Sequence, residues 1–161
     1  NDPALFTGLG ATVAGGVVNS ATANSSTVGG GSGNQASADF ATIAGGINQL
    51  ASGEGSTVAG GSQNIAQALQ STIGGGSFQV ATGSNATIAG GLENTASGVQ
   101  STIGGGRGHD ATAFVSTVAG GLQNIAAGSF ASVGGGSSNT AGGQGSTVGG
   151  GSSREATGST T

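Results

Sequence analysis

Residues 71–85 read STIGGGSFQVATGSN, and residues 101–115 read STIGGGRGHDATAFV. The first six letters of the two stretches are identical, and each stretch has an Ala-Thr pair at the same place, Ala81-Thr82 and Ala111-Thr112. The other letters change freely and include an Arg and a His. Self-similarity at a fixed interval is typical of repeat proteins, in which each unit packs against its neighbours.

The whole chain follows this pattern with a period of fifteen residues. An aliphatic residue that follows a Thr or Ser marks each unit, without an insertion or deletion. These ten anchors are Val13, Val28, Ile43, Val58, Ile73, Ile88, Ile103, Val118, Val133 and Val148. We number the positions of a unit from 1 to 15, with the Thr at position 2 and the anchor at position 3. The units are called coils 1 to 10, so that residues 71–85 form coil 5.

Three further positions of the unit are restricted. Gly occupies positions 5 and 6 of every coil, and Ala occupies position 11 of every coil. Position 9 is usually Asn, with Gln49, Gln79, His109 and Arg154 in the remaining coils. Fifteen residues are too few for a helical hairpin, and Thr, Val, Ile and Gly together disfavour helix. The unit therefore predicts one coil of a parallel β-solenoid.

The prediction is an all-β, parallel β-solenoid of ten fifteen-residue coils, with strands around positions 2–4 and 9–13. Residues 12–161 would form the single solenoid, after an N-terminal cap segment of residues 1–11. Because alternate residues of a strand face opposite sides, the anchor and the Ala of position 11 point inward if the Thr points outward. The Asn column would stack amide on amide between coils and so satisfy its buried polar groups.

The composition excludes several classes of protein. Gly accounts for 38 of the 161 residues but does not recur at every third position, which excludes collagen. Only 5% of the residues are charged, whereas disordered chains are commonly charged and poor in β-branched residues. Trp and Tyr are absent and there are five Phe, so the core must be thin. No Cys is present, which excludes disulfides and thiolate metal sites.

Charge and hydropathy bear on the possible partners. The net charge is −4 with only two basic residues, so there is no basic surface for a nucleic acid or an acidic lipid. The apolar runs are only a few residues long, and we expect no membrane insertion of this segment. No nucleic acid partner is predicted.

No pattern of catalytic or metal-binding residues stands out. His109 and Asp110 are adjacent, but His109 occupies the Asn column and is interpreted as a tolerated substitution. Calcium-binding solenoids place an Asp in every coil, whereas Asp39, Glu54, Glu93, Asp110 and Glu155 are scattered over positions 8, 10 and 14 here. We therefore predict a protein that is not an enzyme and that holds no cofactor and no metal.

Position 2 forms a regular ladder of hydroxyl side chains. Its threonines are Thr12, Thr27, Thr42, Thr57, Thr72, Thr87, Thr102, Thr117 and Thr147, with Ser132 as the exception. The next outward position, position 4, carries only Ala or Gly. Three interpretations remain open: Thr simply suits a strand, the strip packs against a neighbouring subunit, or the strip binds ice.

Two further positions are apolar in several coils. Position 7 carries Val17, Ile47, Leu92 and Leu122, and position 10 carries Leu50, Ile65, Val80 and Ile125. If these side chains face outward they form an exposed apolar stripe, which usually marks an interface. We name this set the apolar stripe, and it predicts self-association as a homotrimer or a fibre.

The unit resembles a known family. TVAGGSQNIAQA at residues 57–68 and TIAGGLENTASG at residues 87–98 are similar to the head repeats of trimeric autotransporter adhesins. The second aliphatic residue of the family's repeat is Gly here in all ten coils. The resemblance implies a homotrimer of left-handed β-rolls on the bacterial cell surface, which binds host matrix or other cells.

The sequence thus favours a non-enzymatic, extracellular structural or adhesive rod that resembles an adhesin head. One alternative is an ice-binding solenoid that uses the flat Thr ladder. A second alternative is a subunit of an extracellular or phage fibre.

Overall fold

The computed structural model describes residues 5–158 of the chain. This part of the chain contains no helix and consists of two-residue strands joined by turns. In chain order the strands are β1 (Leu5–Phe6), β2 (Thr12–Val13), β3 (Ser20–Ala21), β4 (Thr27–Val28), β5 (Gln35–Ala36), β6 (Thr42–Ile43), β7 (Leu50–Ala51), β8 (Thr57–Val58), β9 (Ile65–Ala66), β10 (Thr72–Ile73), β11 (Val80–Ala81), β12 (Thr87–Ile88), β13 (Thr95–Ala96), β14 (Thr102–Ile103), β15 (Asp110–Ala111), β16 (Thr117–Val118), β17 (Ile125–Ala126), β18 (Ser132–Val133), β19 (Thr140–Ala141), β20 (Thr147–Val148) and β21 (Glu155–Ala156).

The strands form two parallel sheets. The odd-numbered strands make an eleven-stranded sheet and the even-numbered strands a ten-stranded sheet, each in chain order. Every strand pairs with the strand fifteen residues away, as Thr72 does with Thr87 and Ala81 with Ala96. A third line of parallel bridges joins position 7 of successive coils, from Val17–Ser32 onward. The predicted parallel β-solenoid of fifteen-residue coils is confirmed, with strands shorter than expected.

The interior is a thin column of small side chains. The anchors from Val28 to Val148 and the Ala of position 11 from Ala21 to Ala141 are buried in one cluster. The inward positions predicted from the period of the strands are therefore confirmed. Position 1, which the sequence analysis left unassigned, also faces inward, and its Ser or Ala is buried from Ser26 to Ser146.

The Gly of position 6 is required by a close approach between coils. A Cβ on Gly61 would collide with the carbonyl oxygen of Gly76 in the next coil. Positions 8 and 15 also have positive φ, yet they carry side chains as large as Gln63 (φ 56°) and Phe130 (φ 60°). Positive φ alone thus does not select Gly in this fold, whereas backbone contact does.

The sheet begins within the predicted cap segment. Leu5 pairs with Ser20, and Phe6 pairs with Ala21, so β1 is the first strand of the odd-numbered sheet. Residues 1–4 of that segment, and residues 159–161 at the other end of the predicted solenoid, lie outside the described part of the chain.

Candidate interaction surfaces

The Asn side chains of position 9 link successive coils through the backbone. Asn64 donates hydrogen bonds from Nδ2 to the carbonyl oxygens of Gly60, at 2.9 Å, and of Gly76, at 3.0 Å. Its Oδ1 accepts a hydrogen bond from the backbone N–H of Gln79 at 3.0 Å. The column was expected to stack amide on amide, and that expectation is wrong. Each Asn amide binds the backbone of its own coil and of the next. The Gly residues of positions 5 and 6 bring their carbonyl oxygens within reach of the amide.

The residues that replace Asn keep only part of this network. Gln49 Oε1 accepts from Asn64 N–H at 2.9 Å, and His109 Nδ1 accepts from Asn124 N–H at 3.0 Å. The Nε2 atoms of Gln49 and His109 are buried without a hydrogen-bond partner. The shared role of the column is therefore to supply an acceptor to the next coil.

His109 belongs to this interior network and is inaccessible from the surface. Its side chain is fully buried, and burial lowers the pKa of its imidazole below the ordinary value. Asp110, the next residue, is half-buried on the outer side of β15. Within residues 5–158 we find no cavity and no cluster of three His, Asp or Glu residues that could hold a metal ion. That part of the chain also has no helix long and apolar enough to cross a membrane.

The Thr ladder lies on the outer side of the even-numbered sheet. Successive threonines pair directly, as in Thr57–Thr72 and Thr72–Thr87, and the exception Ser132 keeps the register. The threonines are half-buried or exposed, and the Ala or Gly of position 4 is exposed in every coil. The structure thus brings together the position 2 residues that the sequence picked out, on a strip without charged side chains.

The Gly of position 5 extends this strip, and only Gly105 and Gly135 have a positive φ, of 151° and 155°, that favours Gly there. A Cβ on Gly60 would meet no heavy atom within 4 Å, and the same holds for five other coils. In the remaining four coils the nearest atom is a carbonyl oxygen at 3.8–4.0 Å, which is ordinary contact. We call the outer surface of positions 2, 4 and 5 the flat face. Its Gly residues leave room that the chain itself does not use.

The residues of the apolar stripe all lie on the outside of the solenoid. Val17, Ile47 and Leu122 are 56%, 54% and 41% exposed, and the other members are half-buried. Leu50, Ile65 and Val80 pair in direct register, which makes a continuous patch on coils 3 to 5. Elsewhere the stripe is interrupted by polar residues such as Thr95, Asp110 and Arg107. The structure therefore brings together only part of the predicted stripe.

A second apolar surface was missed by the sequence analysis. Phe114 and Phe130 lie at positions 14 and 15 of adjacent coils, where their rings meet edge to face with centroids 5.3 Å apart. Leu69 and Val99, both at position 14, are exposed on the same corner. The signal was present in the sequence, because these large apolar residues fall in adjacent columns on the turn between the two sheets.

Comparison with known proteins gives one match to a family. Residues 116–128, STVAGGLQNIAAG, match the family model of the ubiquitous surface protein adhesin repeat. This stretch covers positions 1 to 13 of coil 8, from the buried Ser116 through the Thr, the anchor and the Gly pair to the Ala of position 11. No curated protein matches the chain. The match and the β-solenoid confirm the resemblance to the repeats of trimeric autotransporter adhesins.

Proposed function

We propose that this chain is a non-enzymatic adhesive rod on a bacterial cell surface and that it self-associates through its apolar stripe. The adhesive role is supported by the match of coil 8 to an adhesin repeat, together with the in-register stacking of the same unit along the solenoid. Such stacking produces a stiff surface whose outward positions vary while the interior repeats. Variable outward residues on a constant scaffold suit recognition of host matrix or cell-surface molecules.

Self-association is carried by one observation, the paired apolar side chains on coils 3 to 5. Leu50, Ile65 and Val80 lie side by side on the outer face of the odd-numbered sheet. Ile47, at position 7 of coil 3, is 54% exposed and lies three residues before Leu50. A contiguous apolar patch on a chain with so few large apolar residues marks an interface. Burying it against a second copy removes apolar surface from water.

The chain itself supplies replacements that test this interface without disturbing the coil. Position 10 is Thr in coil 6 (Thr95), and position 7 is Ser in coil 4 (Ser62). The test variant combines four changes: Ile47→Ser, Leu50→Thr, Ile65→Thr and Val80→Thr. We expect multi-angle light scattering to give a trimer or a larger assembly for the native chain and a monomer for the variant.

A control carries four Ser or Thr substitutions outside coils 3 to 5: Val99→Ser, Phe114→Ser, Ala127→Thr and Phe130→Ser. This control should assemble as the native chain does. A native chain that stays monomeric over a wide concentration range contradicts self-association. Large filaments in electron micrographs would instead support the fibre alternative.

Adhesion is tested separately from assembly. The native rod and the corner variant Phe114→Ser/Phe130→Ser are compared for binding to immobilised extracellular matrix and to host cells. We expect binding by the native rod, and a loss in the corner variant would place the contact at the turn between the sheets. No binding to either surface by the assembled native rod contradicts the adhesive role.

Ice binding is the second candidate function, and the flat face supports it. The ladder of threonines is regular, charge-free and partly exposed, and Gly at position 5 keeps the adjoining surface free of side chains. A lattice of ice could approach such a face closely. The measurement that decides is thermal hysteresis of the purified chain.

A further inference from the structure

We propose that the joint between coils 7 and 8 is an acid-sensitive release point, at which protonation of His109 detaches Asn124 and lets the following coils open. Coil 7 is the only coil among residues 5–158 with a His in the column that links successive coils. All other linking side chains in that column, apart from Arg154 in the last coil, are the neutral amides of Asn and Gln.

The hydrogen bonds around His109 define its protonation state. Nδ1 accepts the backbone N–H of Asn124 at 3.0 Å, so Nδ1 carries no proton and the neutral ring is protonated on Nε2. On the other side, the backbone N–H of His109 donates to Asn94 Oδ1 at 2.9 Å. The imidazole thus replaces an amide oxygen as the acceptor for coil 8, but it is an acceptor that acid can remove.

Protonation reverses the role of Nδ1. Both ring nitrogens of a charged imidazole are donors, so an Nδ1–H would face the N–H of Asn124 and the hydrogen bond would be lost. The charged ring would also be fully buried, and moving a charge from water into the interior is strongly unfavourable. This desolvation is the largest effect and lowers the pKa of His109, whereas the backbone of Gly121 and of Asn124 and the charge of Asp110 favour the charged form.

Few charged groups surround this joint. Coil 8 has none, and coil 7 contributes Asp110 on the outer side of its strand and Arg107. Arg107 pairs with Glu93 of coil 6 at 3.5 Å, and both side chains are largely exposed. The unfolded His titrates near pH 6.5, so the range from pH 7.5 to 5 spans the titration of the open joint.

The direction of the pH effect follows from the lowered pKa. Below about pH 6.5 the unfolded or open chain binds a proton at His109 that the closed joint excludes. The stability that the joint contributes is therefore complete above that pH, and it is lost as the pH falls through the lower pKa of the closed state. Acid opens the joint, and neutral pH closes it.

The position of the joint determines what is released. Because each coil contacts only its neighbours, residues 116–158 are held to coils 1–7 through this one joint. Loss of the hydrogen bond from Asn124 would weaken this joint in acid, whereas the joints linked by Asn or Gln have no titratable acceptor at the equivalent place.

Amide hydrogen exchange followed by NMR tests the proposal at single residues. The reporter is Asn124 N–H, which binds His109, and the internal reference is Asn64 N–H, which binds the non-titrating Gln49. Protection factors are corrected for the intrinsic pH dependence of exchange. From pH 7.5 to 5 we expect protection at Asn124 to fall by up to about tenfold per pH unit, while protection at Asn64 stays unchanged.

Two substitutions isolate the imidazole. His109→Asn and His109→Gln place side chains that the same column already accepts elsewhere, and both should abolish the pH dependence at Asn124. Asp110→Asn should leave it in place. The proposal is overturned if protection at Asn124 in the native chain does not depend on pH, or if His109→Asn loses protection in acid as the native chain does. It is equally overturned if ring ¹⁵N shifts show a charged His109 while Asn124 stays protected.

Discussion

Oδ1 of Asn64 accepts a hydrogen bond from the backbone N–H of Gln79, fifteen residues further along the chain, over 3.0 Å. The two residues occupy the same position of adjacent coils, and both side chains are fully buried. Since the same acceptor recurs along the column, this contact gives the N–H of position 9 a partner between the backbone hydrogen bonds that positions 7 and 10 make to the next coil.

Removing this acceptor should weaken the solenoid locally. Asn64→Ala leaves the N–H of Gln79 and the carbonyl of Gly60 without partners, and each unsatisfied buried group costs about 1–3 kcal/mol. The carbonyl of Gly76 keeps the hydrogen bond from the backbone N–H of Ser62. We expect a clear decrease in the free energy of unfolding, measured by urea denaturation. Asn64→Gln should cost less, because Gln79 shows that a Gln keeps the acceptor. An equal loss in both variants would contradict the role assigned to the acceptor.

The Gly pair offers a comparison between adjacent residues. Gly61→Ala should destabilise the fold, because its Cβ would collide with the Gly76 carbonyl and Gly61 has a φ of 98°. Gly60→Ala should leave the thermal unfolding midpoint unchanged, because its Cβ points into open space. If Gly60→Ala lowers the oligomer mass in light scattering without lowering the midpoint, the flat face is a contact between subunits. Similar midpoints for both variants would mean that the two Gly positions are wrongly assigned.

Overpacking the interior should be costly at the Ala column. Ala81 is fully buried between the same residue of the neighbouring coils, Ala66 and Ala96. Ala81→Leu adds three carbon atoms to a space already filled, at a cost of about 1–3 kcal/mol. Val80→Leu is the matched control, since position 10 faces outward and is Leu in coil 3. Differential scanning calorimetry should show a lower midpoint for Ala81→Leu alone.

Much of this fold can be predicted from the sequence, because a residue type that recurs at one position of the unit indicates the same surroundings in every coil. The period determines the coil, and the alternation of Thr with the anchor determines which side is inward. The sequence does not show the backbone conformation at the corners of the coil. Positive φ at Gln63 or Phe130 is imposed by the surrounding coils and leaves no mark in the residue type.

The sequence likewise predicts that position 9 is polar and buried, but it does not predict which groups its side chains bind. Amides in a column could bind each other or the backbone, and only the path of the Gly pair decides between these possibilities. The Phe114–Phe130 contact was missed because it joins position 14 of one coil to position 15 of the next. A contact between two different positions of the unit produces no repeat within either column.

The ice-binding alternative predicts that the Thr ladder acts as one continuous surface. Many weak contacts at regular spacing would add up, so an interruption in the middle should cost more than the lost contacts alone. In Thr72→Tyr/Thr87→Tyr two adjacent, directly paired rungs carry bulky rings, whereas Thr95→Tyr/Thr140→Tyr places the same bulk on the other sheet. Thermal hysteresis and ice-crystal shape are measured for the native chain and both variants, after circular dichroism has confirmed that each is folded. This alternative requires a freezing-point gap in the native chain and in the second variant, and its loss in the first. A native chain with no gap and unshaped crystals ends the ice-binding alternative and leaves two explanations of the ladder, packing against another subunit and the preference of Thr for strands.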